Sequence, residues 1–280
     1  MIAALLSAVL ALAAPPAKGV LLERLTWPDA ERVLTPSTVV VIPLGAASKE
    51  HGPHLLLKND AILAEHLRDE LLARADVVVA PSIPYSFYPA FVEYPGSVSL
   101  RLETARDTVV DICRSLARLG PRRFYVLNTG ISTVRALKPA AEELAKDGLL
   151  LRFTDLATAM PAVEKEIARQ EGGTHADEIE TSMILYMEPT AVDMKKAVKD
   201  YHPGKGRLTR TPAAELTYSA TGVFGDATLA TREKGERVVN ALVDGIVKEI
   251  EELRRAAPPP AAASPPVSPP APPASPTPTR

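Results

Sequence analysis

Short β-branched runs that alternate with longer amphipathic stretches constrain this chain more than any other feature. Thr38-Val39-Val40-Val41-Ile42 is apolar or β-branched at every position, the pattern of a strand covered on both faces. Ala61 to Arg74 then places Ile62, Leu63, His66, Leu67 and Leu71 on one side of a helix. Val77-Val78-Val79-Ala80 predicts the next strand, and Glu103 to Leu119 a helix stopped by Gly120-Pro121. The order repeats with strand Arg123 to Asn128, a helix over about Thr133 to Lys146, and strand Leu149 to Phe153. Strands separated by helices pair in parallel, and the crossovers cover the sheet. The expected fold is a single α/β domain with a mostly parallel sheet and helices on both faces. Ligands in such folds bind beyond the carboxyl ends of the strands, so the loops after Ile42, Ala80, Leu127 and Phe153 are where a site is expected.

The two ends differ from this middle. Met1 to Ala14 is an apolar run too short for a comfortable membrane span, followed by Pro15-Pro16, and Ala11-Leu12-Ala13 offers the small-x-small pattern of a cleavage site. No basic residue precedes the run. We read residues 1–19 as a signal peptide, residues 20–255 as the folded domain, and expect an exported, periplasmic or secreted protein with no membrane span once mature. From Ala256 to Arg280 the chain is almost wholly proline, alanine and serine, which lack the apolar surface to offset ordering; a disordered tail is expected. Cys113 is the only cysteine, so no intramolecular disulfide can form. Its apolar position in the predicted helix makes it a buried thiol rather than a nucleophile.

Lysine and arginine number 32 against 34 aspartates and glutamates, and no run of like charge marks a face for nucleic acid. A small molecule is the expected partner. Gly45-Ala46-Ala47-Ser48-Lys49 has the residue types of a phosphate loop without the spacing, and there is no dinucleotide fingerprint or internal repeat. Chemistry gathers instead just beyond the first strand, where Glu50, His51, His54 and Asp60 lie within eleven residues. Imidazole mixed with carboxylate suits zinc first, with manganese or iron as alternatives. Each residue has a plainer explanation. Asp60 precedes the helix expected at Ala61 and could cap it, and the histidines could bond loop backbone.

Read with its neighbours, this loop resembles the first signature of the creatininase (creatinine amidohydrolase) family, E-x-H-G-x-H-L-P with an aspartate nine residues after the first histidine. Pro43-Leu44-Gly45, Glu50-His51-Gly52-Pro53-His54-Leu55 and Asp60 carry the likeness. Tyr94-Pro95-Gly96-Ser97-Val98-Ser99-Leu100 is similar to F-P-G-T-x-S-L, and His175-Ala176-Asp177-Glu178-Ile179-Glu180-Thr181-Ser182 to H-A-G-E-x-E-T-S. Gly222-Val223-Phe224-Gly225-Asp226, Thr228 to Thr231 and Lys234-Gly235 follow the last motif. The resemblance implies a metal-dependent amidohydrolase, often a homo-oligomer, with one or two divalent ions per chain and a small-molecule amide, cyclic in some relatives, as substrate. It implies Glu50, His51, Asp60 and Glu180 as metal ligands, and His175 and Glu178 as catalytic residues, His175 in proton transfer.

The departures carry equal information. Lys49 stands where the family has its glutamate, Glu50 being one position late. Asn128-Thr129-Gly130 stands for N-G-H, so Gly130 replaces a metal-binding histidine. Leu56 follows His54-Leu55 in place of proline, and Phe91 lies near a further family histidine. Tyr85, Phe87, Tyr88, Phe91 and Tyr94 would make a pocket less polar than the parent's. A second metal could be lost or could recruit His54, Glu178 or His175, and an alternative to catalysis is a degenerate relative that binds small molecules or serves in assembly.

Overall fold

The computed structural model describes residues 17–261 apart from Met160 and Ala214. Most of the expected signal peptide and most of the expected tail therefore lie outside the described residues. Gly19 is already in the fold, its N–H donating to Leu72 O at 2.9 Å.

The centre is a five-stranded, all-parallel sheet built from β1 (Val20–Leu21), β2 (Val39–Leu44), β3 (Val78–Val79), β4 (Arg123–Asn128) and β5 (Leu150–Phe153), in the order β1-β3-β2-β4-β5. Every residue of β2 is buried, as its unbroken apolar run requires. The crossovers are α1 (Trp27–Val33), α2 (Asn59–Arg74), α3 (Leu102–Ala117) and α4 (Val134–Lys146). After β5 come α5 (Leu156–Ala159), α6 (Pro161–Ile167), α7 (Glu178–Met187) and the 24-residue α8 (Arg232–Arg255).

Side chains alternate across the sheet and so divide the core. Val39, Val41, Val79, Tyr125 and Leu127 pack on Leu63, Leu67 and Leu71 of α2 and on Val238, Leu242 and Ile246 of α8. Val40, Ile42, Phe124 and Val126 face Val109 and Cys113 of α3 and Leu137 and Leu144 of α4. Helices thus cover both faces, as the alternation implies. Cys113 is buried, and burial pushes its thiol pKa up, away from nucleophilic use.

From β2 the chain turns one way to β3, then crosses back past β2 to β4. The reversal falls between β2 and β4, whose carboxyl ends are where such folds place a ligand. Gly235 of α8 lies against the backbone at Ser182 so closely that any β-carbon would collide with its carbonyl, and this brings α7 hard onto α8. Between them, short strands β6 (Lys199–Asp200), β7 (Leu208–Thr209), β8 (Thr217–Tyr218) and β9 (Gly225–Asp226) pair two by two; the sequence patterns had not marked them. Among the described residues no helix is long and apolar enough to cross a membrane.

Candidate active site

The loop after β2 folds back on the first turn of α2, bringing His51 against Asp60. His51 Nδ1 lies 2.9 Å from Lys49 O. A carbonyl can only accept, so Nδ1 carries a proton and Nε2 is the outward atom. Nε2 is 2.8 Å from Asp60 Oδ1 and 3.7 Å from Glu180 Oε1.

Asp60 does not cap. The helix starts at Asn59, which puts Asp60 inside the first turn, where the positive end of the helix dipole favours its charge. Its other oxygen, Oδ2, is 2.8 Å from Lys49 Nζ. Burial opposes the charge, but the Lys49 ammonium and His51 more than offset it and hold the carboxyl well below the usual carboxylate range.

His175 and Glu180 arrive from the start of α7. Ala176 turns the chain there with φ 47°, a conformation that costs a non-glycine residue energy and is held by its surroundings. Its N–H donates to Glu180 Oε2 at 2.5 Å, while Asp177 caps the helix by accepting from Ile179 N and Glu180 N. His175 is pinned from behind by Phe224, whose N–H donates to His175 O at 2.8 Å. Its Nε2 donates towards Glu50, 3.0 Å from the carbonyl and 3.2 Å from Oε2, and its Nδ1 is 3.6 Å from Glu180 Oε2. Burial disfavours a charged His175, but the adjacent Glu50 carboxylate raises its pKa above an ordinary histidine's. By the same contact His175 holds Glu50 below the usual range, against its burial.

Glu50 is held at both ends. Its N–H donates to Ser97 Oγ at 2.9 Å, and Gly222 (φ +85°) supports its carboxylate from below, where any β-carbon would collide with it. Ser97 follows the turn at Gly96, so the Tyr94-to-Ser99 motif serves to support the loop after β2.

One ligand atom each from His51, His175 and Glu180 lies within 4.8 Å of the others. Three carboxylates, those of Glu50, Asp60 and Glu180, face this region, with the Lys49 side chain beside Asp60. The donor types and the surplus of negative charge fit a divalent ion at His51 Nε2, Asp60 Oδ1 and Glu180.

Two expected residues stand elsewhere. Glu50 pairs with His175 rather than joining the three-residue cluster. Glu178 is not brought to the site at all: its buried carboxylate accepts from Arg169 N and Gln170 N, each at 2.7 Å, and from Lys234 Nζ. Helix phase explains it, because residues two apart on a helix point to opposite sides. Of the aromatic residues, Phe91 reaches the cluster, its ring centroid 4.5 Å from that of His175. Tyr94 is buried with its hydroxyl on Ser219 O, Phe87 lies under Arg135, and Tyr85 is exposed.

His54 is buried beside the cluster, with Nε2 2.8 Å from Thr181 Oγ1 and Nδ1 without a partner. Burial pulls its pKa from 6.5 to about 4. Below pH 6.5 the unfolded chain takes up a proton that the folded chain refuses, so stability falls as pH drops towards 4. The full effect is on the order of 3 kcal/mol. Urea midpoints of metal-free protein at pH 7 and pH 5 should fall less in His54→Gln than in the parent; equal falls would refute the assignment.

The comparisons with known proteins agree with this geometry. Residues 23–250 match the family model described as creatininase, creatinine amidohydrolase. The chain belongs to the creatininase family. It is 30% identical to creatinine amidohydrolase of Pseudomonas putida over 257 residues, covering 84% of this chain and 97% of that protein. It is 26% identical to 3-dehydro-scyllo-inosose hydrolase of Thermotoga maritima, covering 87% and 88%. A crystal structure of creatininase superposes with a TM-score of 0.72 at 27% identity, over 86% of this chain and all of that one. Solved creatininases include a Mn form and a Zn-Zn type. These relatives are hydrolases, and divalent metal is found in those solved creatininases.

Proposed function

We propose that this creatininase-family chain hydrolyses a carbon–nitrogen amide bond of a small molecule with the help of a divalent metal, zinc first among the candidates. The observation that carries the reading is the convergence of His51 Nε2 on Asp60 Oδ1 and Glu180 Oε1 at the carboxyl end of β2. A divalent ion bound there would supply Lewis acidity to an amide carbonyl and make a water more acidic.

The chain's own residues account for the rest. The Lys49 carbonyl fixes the His51 ring, so Nε2 is aimed before any ligand arrives. Glu50 holds His175 by Nε2 and leaves Nδ1 facing the cluster, placed to take a proton from the attacking water and return it to the leaving nitrogen. Phe91 packs at a tilt against His175 and gives the site one apolar wall, which suits a compact, uncharged amide. The apolar N-terminal run supports a place outside the cytoplasm.

Protein purified without chelator should contain metal and release amine or acid from a panel of cyclic and short linear amides, with loss of turnover on chelation and recovery on adding zinc or manganese. A second reading, a relative that binds without turnover, is favoured by the loss of the histidine at Gly130. A panel that stays unreacted with metal-loaded protein, while one of its members shifts the melting temperature, would establish that reading instead.

A further inference from the structure

Two departures from the family pattern, Lys49 for glutamate and Gly130 for histidine, meet around one tyrosine. The Lys49 side chain is only 5% exposed, and its Nζ lies 2.8 Å from Asp60 Oδ2, 5.4 Å from the centroid of the Tyr88 ring and 4.8 Å from that of Phe91. Opposite, a β-carbon at Gly130 would come within 3.2 Å of Tyr88 Cε1 and 3.2 Å of Thr133 Cγ2. Tyr88 and Thr133 therefore occupy the volume a side chain at 130 would need. The Tyr88 hydroxyl is buried without a hydrogen-bond partner, so the ring is there for its bulk and its face rather than for a polar contact.

Asp60 thus has a different cation place on each oxygen. Oδ1 faces His51 Nε2, where a metal ion fits, and Oδ2 faces a covalently attached ammonium. We propose that this chain holds one divalent ion, on His51, Asp60 and Glu180, and that the Lys49 ammonium permanently fills the place of a second. The inference rests on the metal-dependent reading above. A lysine needs no ligand at position 130, and its covalent tether keeps it beside Asp60. It can neutralise Asp60 and donate hydrogen bonds, but it has no empty orbital to accept a lone pair, so Lewis acidity falls to the single ion.

The test is a calorimetric titration of the chelator-stripped full chain with zinc or manganese. The parent should saturate at one equivalent per chain, and Lys49→Glu, which removes the ammonium and supplies a carboxylate, should take up a second. Two equivalents in the parent would overturn the inference and leave the metal-dependent reading standing; none would remove that reading and the inference with it. A folded Lys49→Glu protein that stops at one equivalent would also overturn it. Should that variant not fold, Lys49→Gln decides the matter without metal. Its stripped form should melt about 10 °C lower, because buried Asp60 loses its lysine counter-charge and keeps only His51 beside it, and an unchanged melting temperature would refute the role.

Discussion

His51→Ala protein is expected to carry no divalent metal after purification and to hydrolyse amides on the order of 1000-fold more slowly, about 4 kcal/mol of lost transition-state stabilisation. The reason is geometric. His51 Nε2 is the one atom that faces both Asp60 Oδ1, at 2.8 Å, and Glu180 Oε1, at 3.7 Å. Without the imidazole, the two carboxylates lose the nitrogen donor between them; His54 is turned to Thr181, and His175, held by Glu50, faces Glu180 rather than Asp60. Elemental analysis and turnover measured on the same preparation check both halves of the expectation. A variant that kept its metal would place the ion elsewhere.

The second large effect is expected at His175, and it should separate proton transfer from metal binding. His175→Ala should lower kcat by about 10²- to 10⁴-fold while the protein keeps its metal. The contact between its Nε2 and Glu50 leaves Nδ1 for chemistry, and the Glu50 carboxylate raises the His175 pKa, which favours acceptance of a proton at that nitrogen. Metal lost together with activity would make His175 a ligand instead. Metal and activity both kept would end its role.

Strand and helix positions were legible in the sequence because both-face burial demands apolar runs, as in all of β2 and in Phe124 to Leu127 of β4. The pairing of His51 with Asp60 was legible as spacing alone. Its meaning was not: Asp60 looks like a cap to a helix beginning at Ala61, and only the actual start at Asn59 moves its carboxylate off the helix end and onto His51. Glu178 and Glu180 were indistinguishable by type, although their offset of two on a helix already implied that both could not face one centre. Lys49 was visible as a departure, but its contact with Asp60 depends on a loop that doubles back, and no local pattern reports that. The short strands of the 199–226 segment escaped notice because each is two residues long, below the length at which alternation can be read.

Glu50 and His175 are 125 positions apart, yet each fixes the charge and the aim of the other. During synthesis the ribosome therefore releases the first half of the centre long before the second exists. The emerging chain must carry Glu50, His51 and Asp60 as solvated loop residues while the parallel sheet forms around them. Only when α7 is in place, with Gly235 of α8 against Ser182, are His175 and Glu180 beside them. A nascent or C-terminally clipped chain would have most of the sheet and none of the chemistry, and metal uptake would report the completion of folding.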